Sequence, residues 1–283
     1  MLRSALYCSE EEEMKKFLLA GTNLFQHAEN KMQREGDVAR ARTDFEIHRF
    51  NNLDYLLHNR YSWMNEFLTE NSVIVEVGAG AGFSSFYLNH PYTMTDITAN
   101  DWIDKVMDAT NMDYPYESID VVIASHNIHH LVHPSRFFRE CERVLKNDGL
   151  ILIQELNTSL FMRTLLRVMK HEGWSYDVDV FDDRAVANDP SDPWSANCAI
   201  PELIFEQSQK FHRKFQKLKI EKNVKNECFL FTLSGGVIAK TNVLELPKFL
   251  LRIVDLFDRF LVKLFPGIFA LGRSVVIRKT QYL

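Results

Sequence analysis

The run Val73-Ile74-Val75-Glu76-Val77-Gly78-Ala79-Gly80-Ala81-Gly82 constrains this chain more than any other stretch. Its β-branched opening reads as a short strand buried on both faces. An acid sits near the strand's end, and glycines follow at alternate positions. Glycines so placed allow a tight turn and let the backbone come close to a ligand. A strand ending in such a loop belongs in an α/β sheet, with the ligand at its carboxyl end. The dinucleotide pattern G-x-G-x-x-G would need a glycine at position 83, which is Phe83. A Walker loop is excluded as well, because no Gly-Lys-Ser/Thr follows. An ordinary glycine turn is the plain alternative.

The segments after the loop continue an α/β alternation. Phe83 to Leu88 reads as a short helix broken by His90-Pro91, and Tyr92 to Asp96 as a second strand ending in an acid. Such an acid can accept hydrogen bonds from ribose hydroxyls; the bland reading of Asp96 is a turn or cap residue before Ile97-Thr98. Asp108-Ala109 follows a short apolar run, and a solvent-facing loop aspartate is the bland reading there. Pro115 to Ala124 follows, with an apolar run at its end and Ser125 directly after it. In Arg143 to Ile153, Gly149 is well placed as a helix-ending residue before an apolar run.

Taken in order, E-x-G-x-G-x-G and the four segments after it resemble the class I S-adenosylmethionine (SAM) dependent methyltransferases. The likeness spans residues 73–153. It implies that Pro115 to Ala124 holds the fourth strand, and that Arg143 to Ile153 is the helix, glycine turn and fifth strand that close the unit. It implies a Rossmann-like α/β fold: a mostly parallel, seven-stranded sheet with an antiparallel last strand, plus N-terminal helices and a helical cap insertion. It implies SAM as cofactor and S-adenosylhomocysteine (SAH) as product. Carried onto this sequence, it puts Glu76, Gly78, Ala79, Gly80 and Gly82 at the methionine end of the cofactor. Asp96 with Ile97 falls at the ribose, Asp108 with Ala109 at the adenine, and Ser125 at the end of the fourth strand. The acceptor would be a small molecule methylated on oxygen or nitrogen. The C-terminal part resembles bacterial methyltransferases that modify surface-polysaccharide sugars, which makes a sugar the expected acceptor class. Two other readings stay open: a lipid or quinone methyltransferase at a membrane surface, and a non-catalytic protein that binds SAM or SAH.

Methyl transfer needs a group that receives a proton from the acceptor. Ser125-His126-Asn127-Ile128-His129-His130-Leu131-Val132-His133 follows the fourth strand. A histidine near its ordinary pKa of ~6.5 suits a sugar or phenol hydroxyl. His126 is the first candidate base, His129 the second, and His130 reads as a structural helix-start residue. The alternative is that all of these histidines pack, cap or face solvent. No carboxylate stands beside them in sequence, so no metal site is expected.

With 283 residues, the chain can hold one elaborated domain or a domain with a sizeable cap. Net charge of -5 argues against a broad nucleic-acid-binding face. The basic run 210–225 reads as the solvated face of a helix. Cys8, Cys141, Cys198 and Cys228 lack C-x-x-C spacing and suit a cytoplasmic location, and no secretory signal is visible. A helix is expected over 9–29, opened by the Ser9–Glu12 capping box, and another helical run over 45–68. The expected division is a helical cap (1–70), the cofactor-binding core (71–156), a cap or lid insertion (157–226), and C-terminal hairpin strands with an amphipathic helix (227–283). The Asp- and Pro-rich stretch 182–197 is the candidate lid. Strand six is expected at Glu227 to Leu233 and strand seven at Ser274 to Lys279. Residues 247–265 read as an amphipathic helix too rich in charge to span a membrane. Packing on the sheet, a homodimer interface and a membrane surface are its three possible destinations.

Overall fold

The computed structural model describes residues 37–169, 172–238, 241 and 243–281. The helix expected over 9–29, its capping box and Cys8 lie outside the described residues.

β1 (Ile74–Val77) is short and buried throughout. It pairs in parallel with β2 (Thr93–Asp96) on one side and β4 (Ile119–Ser125) on the other. β3 (Lys105–Val106) extends the sheet beyond β2, and β5 (Leu145–Leu156) follows β4, both in parallel. β7 (Gly272–Lys279) lies antiparallel to β5 on one side and to β6 (Leu218–Asn226) on the other. The order β3-β2-β1-β4-β5-β7-β6 is that of the expected Rossmann-like methyltransferase fold. The strand order reverses at β1, between its two neighbours, which opens a crevice at the carboxyl ends of β1 and β4.

Unbroken apolar runs are needed because both faces of the sheet are covered. Ile74, Ile123, Leu152 and Val276 pack with Phe45, Leu53, Leu56 and Met64 from the N-terminal helices. Val75, Val122, Ile151 and Val275 pack on the other face with Phe137, Phe138, Phe211 and Phe215. The expected helical run 45–68 is divided. The helix Val38–His48 ends where Arg49 turns left-handed (φ 40°), the helix Asn51–Tyr61 follows, and a tighter turn, Ser62–Phe67, completes it.

Several expectations about local structure are corrected. Residues 227–233 do not form strand six: Phe229–Leu233 is a short helix. The buried Asp258 carboxylate accepts the backbone N–H groups of Cys228, Phe229 and Leu230 and so turns the chain there. β6 is instead Leu218–Asn226, so these residues belong to the sheet and not to the 157–226 insertion. The basic run 210–225 is accordingly not one helix. It spans the end of the helix Ser208–Lys214 and then an edge strand whose exposed Lys219 and Lys222 guard it against pairing with another chain. Gly149 does not end a helix either. The left-handed position falls to Asp148 (φ 63°), and a Cβ on Gly149 would lie 3.0 Å from the Asp120 carbonyl oxygen. The segment Phe83–Phe86 is a single 3-10 turn, shorter than the helix expected over 83–88.

Candidate functional site

The glycine loop leaves β1 with left-handed backbone at Gly78, Gly80 and Gly82 (φ 65°, 53° and 63°), a conformation costly for other residues. What surrounds each glycine differs. A Cβ on Gly78 would fall 2.3 Å from Asn127 Cγ, and one on Gly82 would fall 2.6 Å from Trp102 Cδ1 and 2.8 Å from Arg42 Nη1. Gly78 and Gly82 are therefore also packed against protein. Around the missing Cβ of Gly80 nothing lies within 4 Å, so the loop is open to a ligand there.

Side chains from three directions hold the loop. Arg42 donates to the carbonyls of Ala81 and Gly82 at 3.0 and 2.9 Å, and its guanidinium lies over the rings of Phe86 and Trp102. Trp102 donates its indole N–H to the Gly80 carbonyl at 2.9 Å. Asp96, at the end of β2, accepts the Gly80 N–H at 2.9 Å on one oxygen and the Thr98 N–H at 2.9 Å on the other. It thus fills the turn-residue role while its carboxylate stands beside the open part of the loop. Beside it, Ile97 exposes 63% of its surface, an apolar flank at the rim. Asp108 is exposed and accepts from the backbone N–H and hydroxyl of Thr110, and Ala109 is buried next to it.

Glu76 lies beneath the loop rather than on it. Its side chain is buried and bonded to the Ser84 hydroxyl at 2.5 Å; Ser84 in turn contacts the Tyr92 hydroxyl. Burial, reinforced by the nearby Asp96 charge, pushes the Glu76 carboxyl up to about 8 against the pull of Ser84.

The four histidines after β4 occupy distinct environments. His126 is left-handed (φ 51°), its Nδ1 lies 3.3 Å from the Ser125 hydroxyl, and its buried Nε2 has no hydrogen-bond partner. Burial, with the Arg60 charge, holds its pKa well below the ordinary histidine value. His129 is buried with Nδ1 2.7 Å from Glu155 Oε2. Burial would lower its pKa, but Glu155 outweighs burial and raises it. Glu155 also accepts the Ile128 and Leu156 N–H groups. Burial would raise this carboxyl, yet His129 and the two N–H groups keep it below its usual value. The His130 ring lies against His129, tilted by 41° with ring centroids 4.1 Å apart, and its Nδ1 faces the Ser195 carbonyl at 3.2 Å. Burial, and the neighbouring His129, bring its pKa down to about 4. His133 Nδ1 faces the Ala185 carbonyl.

The insertion folds onto this turn. Asn188 donates to the carbonyls of His129 and Leu131, Asn197 N–H to the His129 carbonyl, and Ala187 N–H to the Val132 carbonyl. Glu172 comes within 4.0 Å of His129 Nε2, and the Cys198 thiol donates to it at 3.1 Å. Cys141, Cys198 and Cys228 are buried free thiols.

Sequence reasoning missed Arg42, Trp102, Asn127, Glu155 and Glu172. Only Glu155 left a readable signal, an acid near the carboxyl end of an otherwise apolar strand, as Glu76 is in β1. The others arrive from segments far away in sequence or, like Asn127, act through a contact that only the fold creates.

Residues 75–153 match the family described as a methyltransferase domain. No curated protein matches the chain. Among solved structures, the chain is similar to a SAM-dependent methyltransferase from Archaeoglobus fulgidus, at 17% identity over 84% of this chain and 98% of that one, TM-score 0.49. A SAM-dependent methyltransferase from Methanosarcina mazei shows 16% identity over 78% of this chain and 98% of that one, TM-score 0.43. The YcgJ protein from Bacillus subtilis shows 14% identity over 80% of this chain and 100% of that one, TM-score 0.45.

Proposed function

We propose that this chain, whose residues 75–153 match a methyltransferase domain, takes SAM as its cofactor and methylates an oxygen or nitrogen of a small molecule, a sugar in particular. SAM supplies an electrophilic methyl group on a sulfonium. On the cofactor side, Gly78, Ala79 and Gly80 pass under the methionine end, with Gly82 holding the turn and Glu76 supporting the loop from below. Asp96 receives the ribose hydroxyls on lone pairs that its two backbone bonds leave available. Ile97 flanks the nucleoside, and Asp108 with Ala109 stands at the adenine.

The buried, unpartnered Nε2 of His126, directly after β4, carries the acceptor side of this reading. Leaving such an atom unsatisfied costs about 1–3 kcal/mol, which an acceptor hydroxyl or amine would recover. Burial keeps the ring neutral, with its lone pair free to accept a hydrogen bond, but makes it a weaker base than the ordinary histidine expected from the sequence. Its left-handed backbone fits the tendency of strained residues to cluster at functional sites. His129 ranks behind it, because its Nδ1 is held by Glu155. Trp194, 37% exposed and edge-on to His130, supports a sugar by offering an aromatic face. Residues 182–197 form the wall of the acceptor pocket in this reading, and the buried free thiols accord with a cytoplasmic location.

Titration calorimetry of the full chain with SAH, with NAD as control, tests the reading. Micromolar binding of SAH alone is expected, weakened on the order of tenfold or more in Asp96→Ala, which loses a charge-assisted contact. A folded chain that ignores SAH sinks it.

A second reading, an acceptor held at a membrane surface, is favoured by the helix Lys248–Leu264. Phe249, Ile253, Leu256, Phe257, Phe260 and Leu264 are all exposed along it. Its exposed charges are basic (Lys248, Arg252, Arg259, Lys263), whereas Asp258 is buried and Asp255 is half-buried against Arg259. The mixed charge of the sequence thus sorts into an apolar face with a basic border, the pattern of an interfacial helix. Among the described residues, no helix is long and apolar enough to cross a membrane.

A further inference from the structure

We propose that His129, His130 and Glu172 bind one divalent transition-metal ion of the zinc or ferrous-iron type. One donor atom from each of the three lies within 4.8 Å of the others, and His129 Nε2 stands 4.0 Å from Glu172 Oε2. Donors around a tetrahedral ion with bonds of about 2.0–2.1 Å sit about 3.3 Å apart, so small side-chain movements close the set. His130 and Glu172 are half-buried, whereas His129 is buried and held by Glu155.

The surroundings prepare both rings for this. Each imidazole has its Nδ1 against an acceptor, the Glu155 carboxylate for His129 and the Ser195 carbonyl for His130. An acceptor on Nδ1 fixes the proton there and leaves the Nε2 lone pair for an ion, which is the usual outer partner of a ligating histidine. Glu155 is itself anchored by the Ile128 and Leu156 N–H groups, so the ring of His129 is held in direction as well as in tautomer.

Two imidazoles and a carboxylate select borderline transition metals over magnesium and calcium, which prefer oxygen alone. Three protein ligands leave a coordination position open, the arrangement of reactive rather than structural sites. The histidines belong to the same turn as His126, with the rings of His126 and His129 6.5 Å apart. Use of the open position to hold the acceptor oxygen rests on the methyl-transfer reading; binding of the ion does not.

Cobalt(II) is the probe, because its visible bands report the donor set, with zinc(II) competition as the second measurement. The expected result is one Co²⁺ per chain at micromolar concentration, displaced by Zn²⁺. Glu172→Gln and His130→Ala each weaken binding by at least the roughly tenfold that losing a mere outer partner of a ligand costs. His133→Ala serves as the control and binds as the parent does. SAH titration and thermal melting of every variant establish folding and keep this test separate from that of the cofactor. A folded, SAH-binding chain that takes up no Co²⁺ or Zn²⁺ saturably overturns the proposal. So does stoichiometric binding that both ligand variants leave intact.

Discussion

Glu76 shows how one side chain can serve a site without facing it. Its carboxyl is pushed to about 8, from an ordinary 4.5, by burial beneath the glycine loop. An acid whose pKa is raised on folding binds its proton more tightly in the native state. Its contribution to stability is therefore complete below pH 4.5 and is lost as pH rises through about 8. Glu76→Gln keeps the shape and the contact with Ser84 but removes the titration. The variant is expected to gain stability relative to the parent at pH 8 and to lose that advantage at pH 5. A tenfold difference in proton affinity between the folded and unfolded chain is worth about 1.4 kcal/mol. Urea unfolding at the two pH values reads this directly, and parallel pH profiles for both proteins would refute it. The sequence pointed to Glu76 as a site residue by its place before the glycines. It could not show that the carboxyl lies under the loop, because burial is set by Ser84, Tyr92 and the helices packed above. The same limit hid the environments of the histidines: their spacing was plain, but Glu155 and Glu172 reach them only through the fold.

At the scale of elements, the parallel half of the sheet was legible because each of its main strands is a short apolar run bounded by an acid, a glycine or a proline. The antiparallel half was less so. β6 is half exposed, carries lysines, and looks like neither a buried strand nor an alternating one. Residues 227–233 look like a strand by composition, yet Asp258 from a distant helix converts them into a helical turn. Glu227, at the joint between β6 and that turn, is buried against Arg60, with paired contacts of 2.9 and 2.6 Å and a further bond from Gln154 at 3.0 Å. This pair joins the N-terminal helices to the C-terminal strands. Arg60→Met is expected to cost about 3–5 kcal/mol by stranding a buried carboxylate. Adding Glu227→Gln should return a good part of that loss, and denaturant midpoints of the two variants decide it. A single variant as stable as the parent would mean that the bridge contributes nothing.

For the whole molecule, the exposed face of the helix Lys248–Leu264 is the feature the sequence left undecided. Its charges are mixed along the chain, and only the fold shows that the acids turn inward while the basic residues stay outside. Wild-type chain is expected to co-sediment with vesicles containing phosphatidylserine and to stay in solution with phosphatidylcholine alone, as anionic headgroups attract nearby Lys and Arg by about 1 kcal/mol each. Replacing Phe257 and Phe260 together with Glu should abolish sedimentation while SAH still binds. Equal recovery of the parent in the supernatant with both lipids would dismiss the membrane reading.

The position of β7 bears on how the molecule is made. It is buried along nearly its whole length and stands between β5 and β6 in the sheet. On a ribosome, β6 leaves the tunnel well before β7, so through the synthesis of residues 227–271 the apolar edge of β5 waits without its neighbour. A nascent chain of this protein therefore carries an open, sticky sheet edge until residue 279 is out. That interval, rather than the finished protein, is when a chaperone would matter most.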